Sequence, residues 1–291
     1  MATVHVLWTA DAARDHAFAP DEAAVVFDIL RATTTMTAAL AAGARAVCPV
    51  ADRPTALALR DALEPPPLLA GEANMHRQPG FDMGNSPLEM DPARVGGKVV
   101  VLCTTNGTRA AVAARAAGCR RLLAASLLNR TATARALLAE PRPARITLIC
   151  AGTKGAFSLD DVLGAGAVIE ALLELDGAGP SATLAPPGGP ALTDAAQAAL
   201  ALWHHHRDDP AGALARCHHG RLLVENGFGQ DVTAAARVDA ADFAITWQLV
   251  RDLPEGAGGG WFVPTYFPGN RRAGQGGAGR RAGQGDSSAG I

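Results

Sequence analysis

Short apolar runs alternate with longer helical patterns along the first 175 residues of the chain. The runs are rich in Ala, Val, Ile and Leu, and the prolines at 65–67 end the second helical segment. Alternation of this kind is typical of βαβ units around a sheet. It predicts helices over 33–42 and 53–63 and after each of the last three strands, and it places strands at 24–27, 46–50, 68–70, 98–103, 121–125 and 145–150.

The predicted fold class is therefore α/β, with layered βα units around a largely parallel or mixed sheet. An α/β catalytic core is expected over 1–175, and the turn-rich stretch at 176–190 separates it from a C-terminal α/β part over 191–268. That part could be a separate domain or a continuation of the core. The Gly/Arg-rich tail at 269–291, which contains RRAGQG twice, is predicted to be disordered.

Composition excludes several classes of protein. With 291 residues, 48% apolar and 19% charged, the chain is expected to form a globular protein rather than a disordered or fibrous one. A net charge of -2 gives no field that would attract nucleic acid or anionic lipid, so an RNA-binding role for the tail is the least favoured function. No segment reaches the ~18 uninterrupted apolar residues of a membrane helix, and we expect a cytoplasmic protein. The five cysteines lack C-x-x-C spacing and are predicted to be buried, reduced thiols.

Two carboxylates follow apolar strands and could hold Mg²⁺. In open α/β sheets, ligands bind beyond the carboxyl ends of the strands. Asp28 closes an apolar run, where a carboxylate is costly unless it is paired or bound to a cation, and Glu72 follows Gly71 at the end of another. Oxygen ligands of this type suit Mg²⁺. The alternatives are a helix N-cap or an ion pair with Arg31 for Asp28, and an exposed turn for Glu72.

Polar, glycine-bearing loops at other strand ends predict an anion site. TTNGT at 104–108 presents N–H groups, hydroxyls and a helix N-terminus, although it would also serve as an ordinary capped turn. GTKGAFSLDD at 152–161 adds a lysine, and its Asp161 is either a third metal ligand or an acid that stabilises the helix. GFDMGNSP at 80–87 is predicted to fold over the substrate. The predicted substrate-binding residues are Thr104, Thr105, Asn106, Gly107, Thr108, Asn85, Ser86, Asn129, Lys154 and Ser158.

Other phosphatase chemistries fit the sequence less well. A haloacid-dehalogenase enzyme needs a second Asp two residues after its nucleophile, where this chain has Leu30. Cys103 and Arg109 match the C-x₅-R pattern of thiol phosphatases, but Cys103 completes an apolar strand. The consecutive histidines at 204–206 point in different directions on a helix, so they and the pair at 218–219 are predicted to be surface residues.

Six ordered motifs resemble those of one enzyme family. They are VVFDILRATTTMTAAL, AGE, GFDMGNSPLEM, VVLCTTNGTRA, SLLNRTATA and CAGTKGAFSLDDVLGAGA. Together they closely resemble the 2-phosphosulfolactate phosphatase (ComB) family over about 20–175, and HHGRLLVENGFGQDV at 218–232 resembles its later segment.

The resemblance implies a Mg²⁺-dependent phosphatase that converts 2-phospho-3-sulfolactate to 3-sulfolactate and phosphate, in a branch of metabolism leading to coenzyme M. We expect Asp28 and Arg31 to be catalytic, with Mg²⁺ held by Asp28, Glu72 and Asp161; a phosphorylated Asp28 is the mechanistic alternative. The expected partner is a small anionic phosphorylated substrate, and a homo-oligomer is compatible with the sequence. A phosphatase for a different phosphorylated hydroxy acid and a non-catalytic phosphometabolite-binding protein are the alternative functions.

Overall fold

The computed structural model describes residues 2–177, 189–250, 253 and 259–267, and within them strands and helices alternate in an α/β fold, which confirms the predicted class. The strands are β1 (Thr3–Leu7), β2 (Glu22–Phe27), β3 (Ala46–Val50), β4 (Leu68–Ala73), β5 (His76–Arg77), β6 (Val99–Cys103), β7 (Arg121–Ala125), β8 (Arg145–Cys150), β9 (Ala191–Leu192), β10 (Ala244–Leu249) and β11 (Gly260–Thr265). The helices are α1 (Ala10–Arg14), α2 (Ala32–Ala41), α3 (Arg53–Ala62), α4 (Pro92–Val95), α5 (Gly107–Ala116), α6 (Arg130–Leu138), α7 (Leu159–Leu175), α8 (Asp194–His206), α9 (Pro210–Arg216), α10 (His218–Glu225) and α11 (Gly229–Ala235).

All six predicted strands are present, as β2, β3, β4, β6, β7 and β8. They were predictable because each is a largely buried apolar run. The strands without a sequence prediction are β1, the two-residue β5 and β9, and the hairpin β10–β11. That hairpin carries Thr246, Gln248 and Pro264 among its apolar residues, so neither of its strands is a continuous apolar run.

The described strands form a mixed sheet in the order β5-β4-β6-β3-β11-β10-β7-β2-β8-β1-β9. Strands β7, β2, β8, β1 and β9 are mutually parallel, and so are β3, β6 and β4. The hairpin β10–β11 joins these two groups through antiparallel pairings with β7 on one side and β3 on the other. The C-terminal part therefore supplies strands to the middle of the sheet. The strands of one parallel group run antiparallel to the strands of the other group.

Helix α5 packs against both parallel groups of the sheet. This helix contacts both β2 and β3, which are four positions apart in the sheet. Strands spaced about 4.8 Å apart would put these two about 19 Å from each other in a flat sheet. The start of α5, after β6, nevertheless lies against Asp28, the residue after β2, although β2 and β6 run in opposite directions along the sheet.

Alternate residues of β2 face two different cores. Val25 and Phe27 pack with the apolar residues of α7 and α8, whereas Ala24 and Val26 pack with those of α2 and α5. The helices α7 and α8 lie close together, since a Cβ added at Gly166 would lie 2.2 Å from the Ala199 carbonyl oxygen. Both faces of β2 are thereby fixed, and its carboxyl end is held in place.

The remaining sequence predictions about the chain can be placed briefly. All five cysteines are free and buried, as expected. Within the described part of the chain, no helix is both long enough and apolar enough to cross a membrane. Residues 178–188 of the turn-rich stretch and the tail predicted to be disordered at 269–291 lie outside the described residues.

Candidate active site

Asp28 follows β2 and is buried beside the first turn of α5, with 6% of its surface exposed. Its Oδ1 accepts a hydrogen bond from the Ala32 N–H at 3.1 Å, so the helix-end role considered for it is present. The alternative ion pair with Arg31 is not formed, because Arg31 pairs with another acid. Burial raises the pKa of Asp28 to about 6; Asp160 adds to the rise, and the N–H groups of Ala32 and Gly107 oppose it.

Gly107, the first residue of α5, is what allows this helix to approach Asp28. A Cβ added at Gly107 would lie 2.7 Å from both Cβ and Oδ2 of Asp28 and 2.8 Å from Cβ of Ala32. These distances are too short for any side chain, so glycine is required here by close approach. The positive end of the α5 dipole thus lies against a buried carboxylate.

We expect Gly107→Ala to lower kcat/KM of the predicted phosphatase reaction by roughly 100-fold, because displacing a reactive group by about 1 Å has an effect of that order. Gly229→Ala is the matched control, since Gly229 also opens a helix but a Cβ there would meet nothing closer than 3.8 Å. Steady-state assays of both variants check the expectation. Wild-type turnover in Gly107→Ala would show that the approach to Asp28 is not needed.

The turn at 104–108 is held on its other side by Glu72. Glu72 Oε1 accepts hydrogen bonds from the N–H of Thr105 at 3.2 Å and from its hydroxyl at 2.9 Å. Within the turn, the Thr104 N–H donates to Oγ1 of Thr108 at 3.3 Å, and that hydroxyl donates to the Thr104 carbonyl at 3.0 Å. The predicted anion loop therefore directs two of its N–H groups, those of Thr105 and Gly107, at carboxylates, and Asp28 and Glu72 flank the same turn.

Asp161 joins two strand-end loops next to Asp28. Its Oδ1 accepts from the Ile29 N–H and its Oδ2 from the Gly152 N–H, both at 2.9 Å. Burial raises the pKa of Asp161 well above its ordinary value, and the neighbouring Asp160 and Asp28 raise it further. The structure therefore gives this predicted metal ligand two backbone partners within a buried cluster of three acids.

Arg31 is held by a buried ion pair that links distant parts of the chain. Its Nη1 lies 2.8 Å from Oδ2 of Asp231, and the two side chains are 3% and 4% exposed. Its Nη2 donates to the Met75 carbonyl at 3.1 Å, and the guanidinium lies 4.4 Å from the centre of the Phe228 ring. The Ser86 hydroxyl donates to Oδ1 of Asp231 at 2.6 Å. Both oxygens of Asp231 are thus used, and the guanidinium is fixed in one orientation.

Comparison with known proteins covers the segments that form this site. The family model described as 2-phosphosulpholactate phosphatase matches residues 8–249. The chain belongs to the 2-phosphosulpholactate phosphatase family. This confirms the resemblance seen in the motifs and the prediction of an enzyme that hydrolyses phosphoric monoesters.

Relatives of this family align with the chain over most of their length. A protein named "Probable 2-phosphosulfolactate phosphatase" from Synechococcus sp. (strain RCC307) is 42% identical over 225 residues, which cover 75% of this chain and 86% of the relative. A protein with the same name from Deinococcus radiodurans is 39% identical over 236 residues, covering 81% and 92%. Another from Thermotoga petrophila is 35% identical over 245 residues, covering 84% and 93%.

The other predicted substrate-binding residues of this family member differ in accessibility. Lys154 is exposed, and its backbone N–H lies 3.4 Å from Oδ1 of Asn106. Asn85 is buried, and its Oδ1 has no hydrogen-bond partner among the described residues. The Ser158 hydroxyl donates to Oδ1 of Asp160 at 2.6 Å rather than capping α7.

Asn129 is buried and bonded to other residues of the protein. It is fully buried, its Oδ1 accepts from the Ser126 N–H at 2.9 Å, and its Nδ2 lies 3.5 Å from the Phe243 carbonyl oxygen. The amide oxygen and nitrogen are each bonded within the protein. The structure therefore places Asn129 behind the site, where it supports the loop after β7.

Cys103 lies beside the turn but is poorly suited to act as a nucleophile. Burial raises the pKa of its thiol, and the nearby carboxylates Asp52 and Glu72 raise it further. A thiol phosphatase needs the opposite shift. The environment of Cys103 therefore disfavours the C-x₅-R alternative.

Residues around the site that the sequence did not predict come from the C-terminal part. Asp231 lies on α11, and His219 on α10 is close enough to Asp28 to lower its pKa. His219 is half-buried, and the side chain of His204 is 16% exposed against Glu170, so these two histidines are less exposed than predicted. Asp231 and His219 fall in the 218–232 segment of the family resemblance, which was the one signal that pointed to them.

Proposed function

We propose that this chain hydrolyses 2-phospho-3-sulfolactate to 3-sulfolactate and inorganic phosphate in a Mg²⁺-dependent reaction. The observation that carries the proposal is the buried Asp28 carboxylate, which faces the glycine at the N-terminus of α5. A carboxylate with a raised pKa in this position is typical of a catalytic site. The names of the relatives support the choice of substrate.

The acidic groups fit Mg²⁺ in number and kind. Mg²⁺ is commonly bound through one or two carboxylates, with substrate phosphate and water completing its shell. Among the described residues, no three His, Cys, Asp or Glu side chains are close enough to form a complete protein cage. Asp28 and Glu72, on either side of the 104–108 turn, would hold the ion, and Asp161 would fix the loop after β2 through its bond from the Ile29 N–H. When bound, Mg²⁺ offsets charge on the phosphate.

The protein groups around the turn can each act on the phosphoester. The N-terminus of α5 and the guanidinium of Arg31 would stabilise negative charge on the phosphate oxygens. Phosphorus forms a new bond either to a water oxygen or to Oδ2 of Asp28, while its bond to the C2 oxygen of the substrate breaks and that oxygen takes up a proton. In the second case an aspartyl-phosphate would form and then be hydrolysed. Acid quenching with labelled substrate distinguishes these routes, because label remains on the protein in the covalent route alone.

A different phosphorylated hydroxy acid is the second candidate substrate. The groups around Asp28 would recognise phosphate, and none of them is specific to a sulfonate. The choice between the two substrates therefore depends on contacts beyond the reacting phosphate.

Phosphate release from a panel of substrates tests the proposal. We expect the highest kcat/KM with 2-phospho-3-sulfolactate, compared with 2-phospholactate and 3-phosphoglycerate. A chelator should lower the rate at least about 100-fold, and added Mg²⁺ should restore it. Full activity in chelator would remove Mg²⁺ from the proposal, and a preference for another compound would change the substrate. Release from none of the compounds would contradict the proposed reaction.

A further inference from the structure

We propose that a basic cleft beside the 104–108 turn binds the sulfonate of the substrate and so selects a sulfonated phosphoester over one that lacks this group. This inference rests on the proposed function, because it assigns the non-reacting end of the same substrate. The cleft lies between α1, α5 and the loop at 151–155, and its volume is about 670 Å³. Small-molecule sites commonly measure about 300–1,000 Å³, so the substrate can enter.

The cleft carries more positive than negative charge. Its lining includes Arg14, Arg109 and Lys154 but a single carboxylate, Asp11. Arg14 is already paired, at 3.1 Å from Asp11 and at 3.7 Å from Asp15. Across the described part of the chain, neither Arg109 nor Lys154 forms an ion pair. Two cations that come from different segments are therefore available to an anion.

The cleft adjoins the proposed reaction centre through the 104–108 turn. Thr105 and Asn106 line the cleft, and the next residue, Gly107, lies against Asp28. On the opposite side, Ala151 lines the cleft and is followed by Gly152, whose N–H donates to the acidic cluster. One turn thus forms a wall of both regions. A substrate with its phosphate at Asp28 can extend its other end along this wall.

The chemistry of a sulfonate fits these two cations. A sulfonate is fully ionised at neutral pH and offers three oxygens, which a lysine ammonium with three donors and an arginine with five can share. The chain has 24 arginines and two lysines, at 98 and 154, so Lys154 is unusual in this sequence. The hydrogen bond between its backbone N–H and Asn106 ties the loop that carries it to the turn.

Paired kinetics on two substrates test the assignment. 2-Phospho-3-sulfolactate and 2-phospholactate share the phosphate and the carboxylate, and the second has a methyl group where the first has CH₂SO₃⁻. For Lys154→Ala and Arg109→Ala we expect kcat/KM to fall roughly 10–100-fold with the sulfonated compound and less than about 3-fold with 2-phospholactate. Lys98→Ala is the matched control and should match the wild type on both. Equal losses on both compounds, or no loss on either, would overturn the assignment.

Chemical labelling tests the cleft without relying on turnover. Lys154 and Lys98 are both exposed, so an amine-acylating reagent followed by peptide mass spectrometry reports on each of them. We expect 3-sulfolactate to slow acylation of Lys154 at least about 5-fold and to leave Lys98 unchanged, while lactate at the same concentration protects neither. Equal labelling of Lys154 with and without 3-sulfolactate would overturn the subsite. Protection in an enzyme that fails to hydrolyse the phosphorylated compound would support the cleft and reject the proposed reaction.

Discussion

Asp28→Asn should lower kcat for 2-phospho-3-sulfolactate at least about 1,000-fold, because it removes the charge that would bind Mg²⁺ or attack phosphorus. The amide keeps the volume of the carboxylate, and its oxygen can still accept the Ala32 N–H. We therefore expect a folded protein with an unchanged far-UV circular dichroism spectrum. Asp21→Asn makes the same change at an exposed position and should keep full activity.

The same substitution should make the protein more stable above pH 6. The pKa of Asp28 is raised from 3.8 to about 6, so the folded state binds this proton more tightly than the unfolded state does. Asp28 contributes up to about 3 kcal/mol to the free energy of unfolding. The whole contribution is present below pH 3.8, and it is lost as the pH rises through about 6. In urea unfolding with a chelator present, Asp28→Asn should have a larger free energy of unfolding than wild type at pH 8. The difference should shrink toward pH 4. An inactive variant that is less stable at pH 8 would contradict this account of Asp28.

Asp231→Ala should lower the free energy of unfolding by about 3–5 kcal/mol, since it leaves the Arg31 guanidinium buried and unpaired. It also removes the acceptor of the Ser86 hydroxyl. Denaturant titrations at neutral pH measure the loss. Asp61→Ala is a useful comparison, because the ion pair of Asp61 with Arg60 is exposed and its removal should cost less than about 1 kcal/mol.

A double variant separates the structural role of this ion pair from a catalytic one. Arg31→Met combined with Asp231→Leu removes both charges, and we expect it to recover most of the stability lost in Asp231→Ala. Activity should remain at least about 100-fold below wild type, because the cation next to the phosphate is gone. A double variant that is both stable and fully active would remove Arg31 from the catalytic residues.

The elements that could be predicted from the sequence are those whose signal is local. A buried strand in a parallel group is apolar along its whole length, so β2, β6 and β8 are evident from the residue pattern. Asp28 and Glu72 were predicted for the same reason, since each is a carboxylate at the end of such a run. The two do flank one turn.

The partners of those residues could not be predicted, because they depend on packing between distant segments. Arg31 and Asp231 are 200 residues apart in the chain and meet because α11 packs near the start of α2. The Thr105 N–H was expected to face an anionic ligand, but it donates to Glu72, which reaches the turn from a strand in the same parallel group. The rule that the carboxyl ends of parallel strands share an edge also did not explain why β2 and β6 end together. The packing of α5 against both parallel groups and against Asp28 brings them together, and no local pattern predicts it.

The central place of the β10–β11 hairpin sets the order in which the enzyme can be completed during translation. Among the described strands, β3 and β7 do not pair with each other, and β10 and β11 lie between them. A ribosome must therefore release nearly all of the described chain before the sheet can close, and until then β3 and β7 are open edges able to pair with other chains. Contacts of such long sequence separation form slowly, so newly made protein should depend on chaperones more than a protein with local topology does.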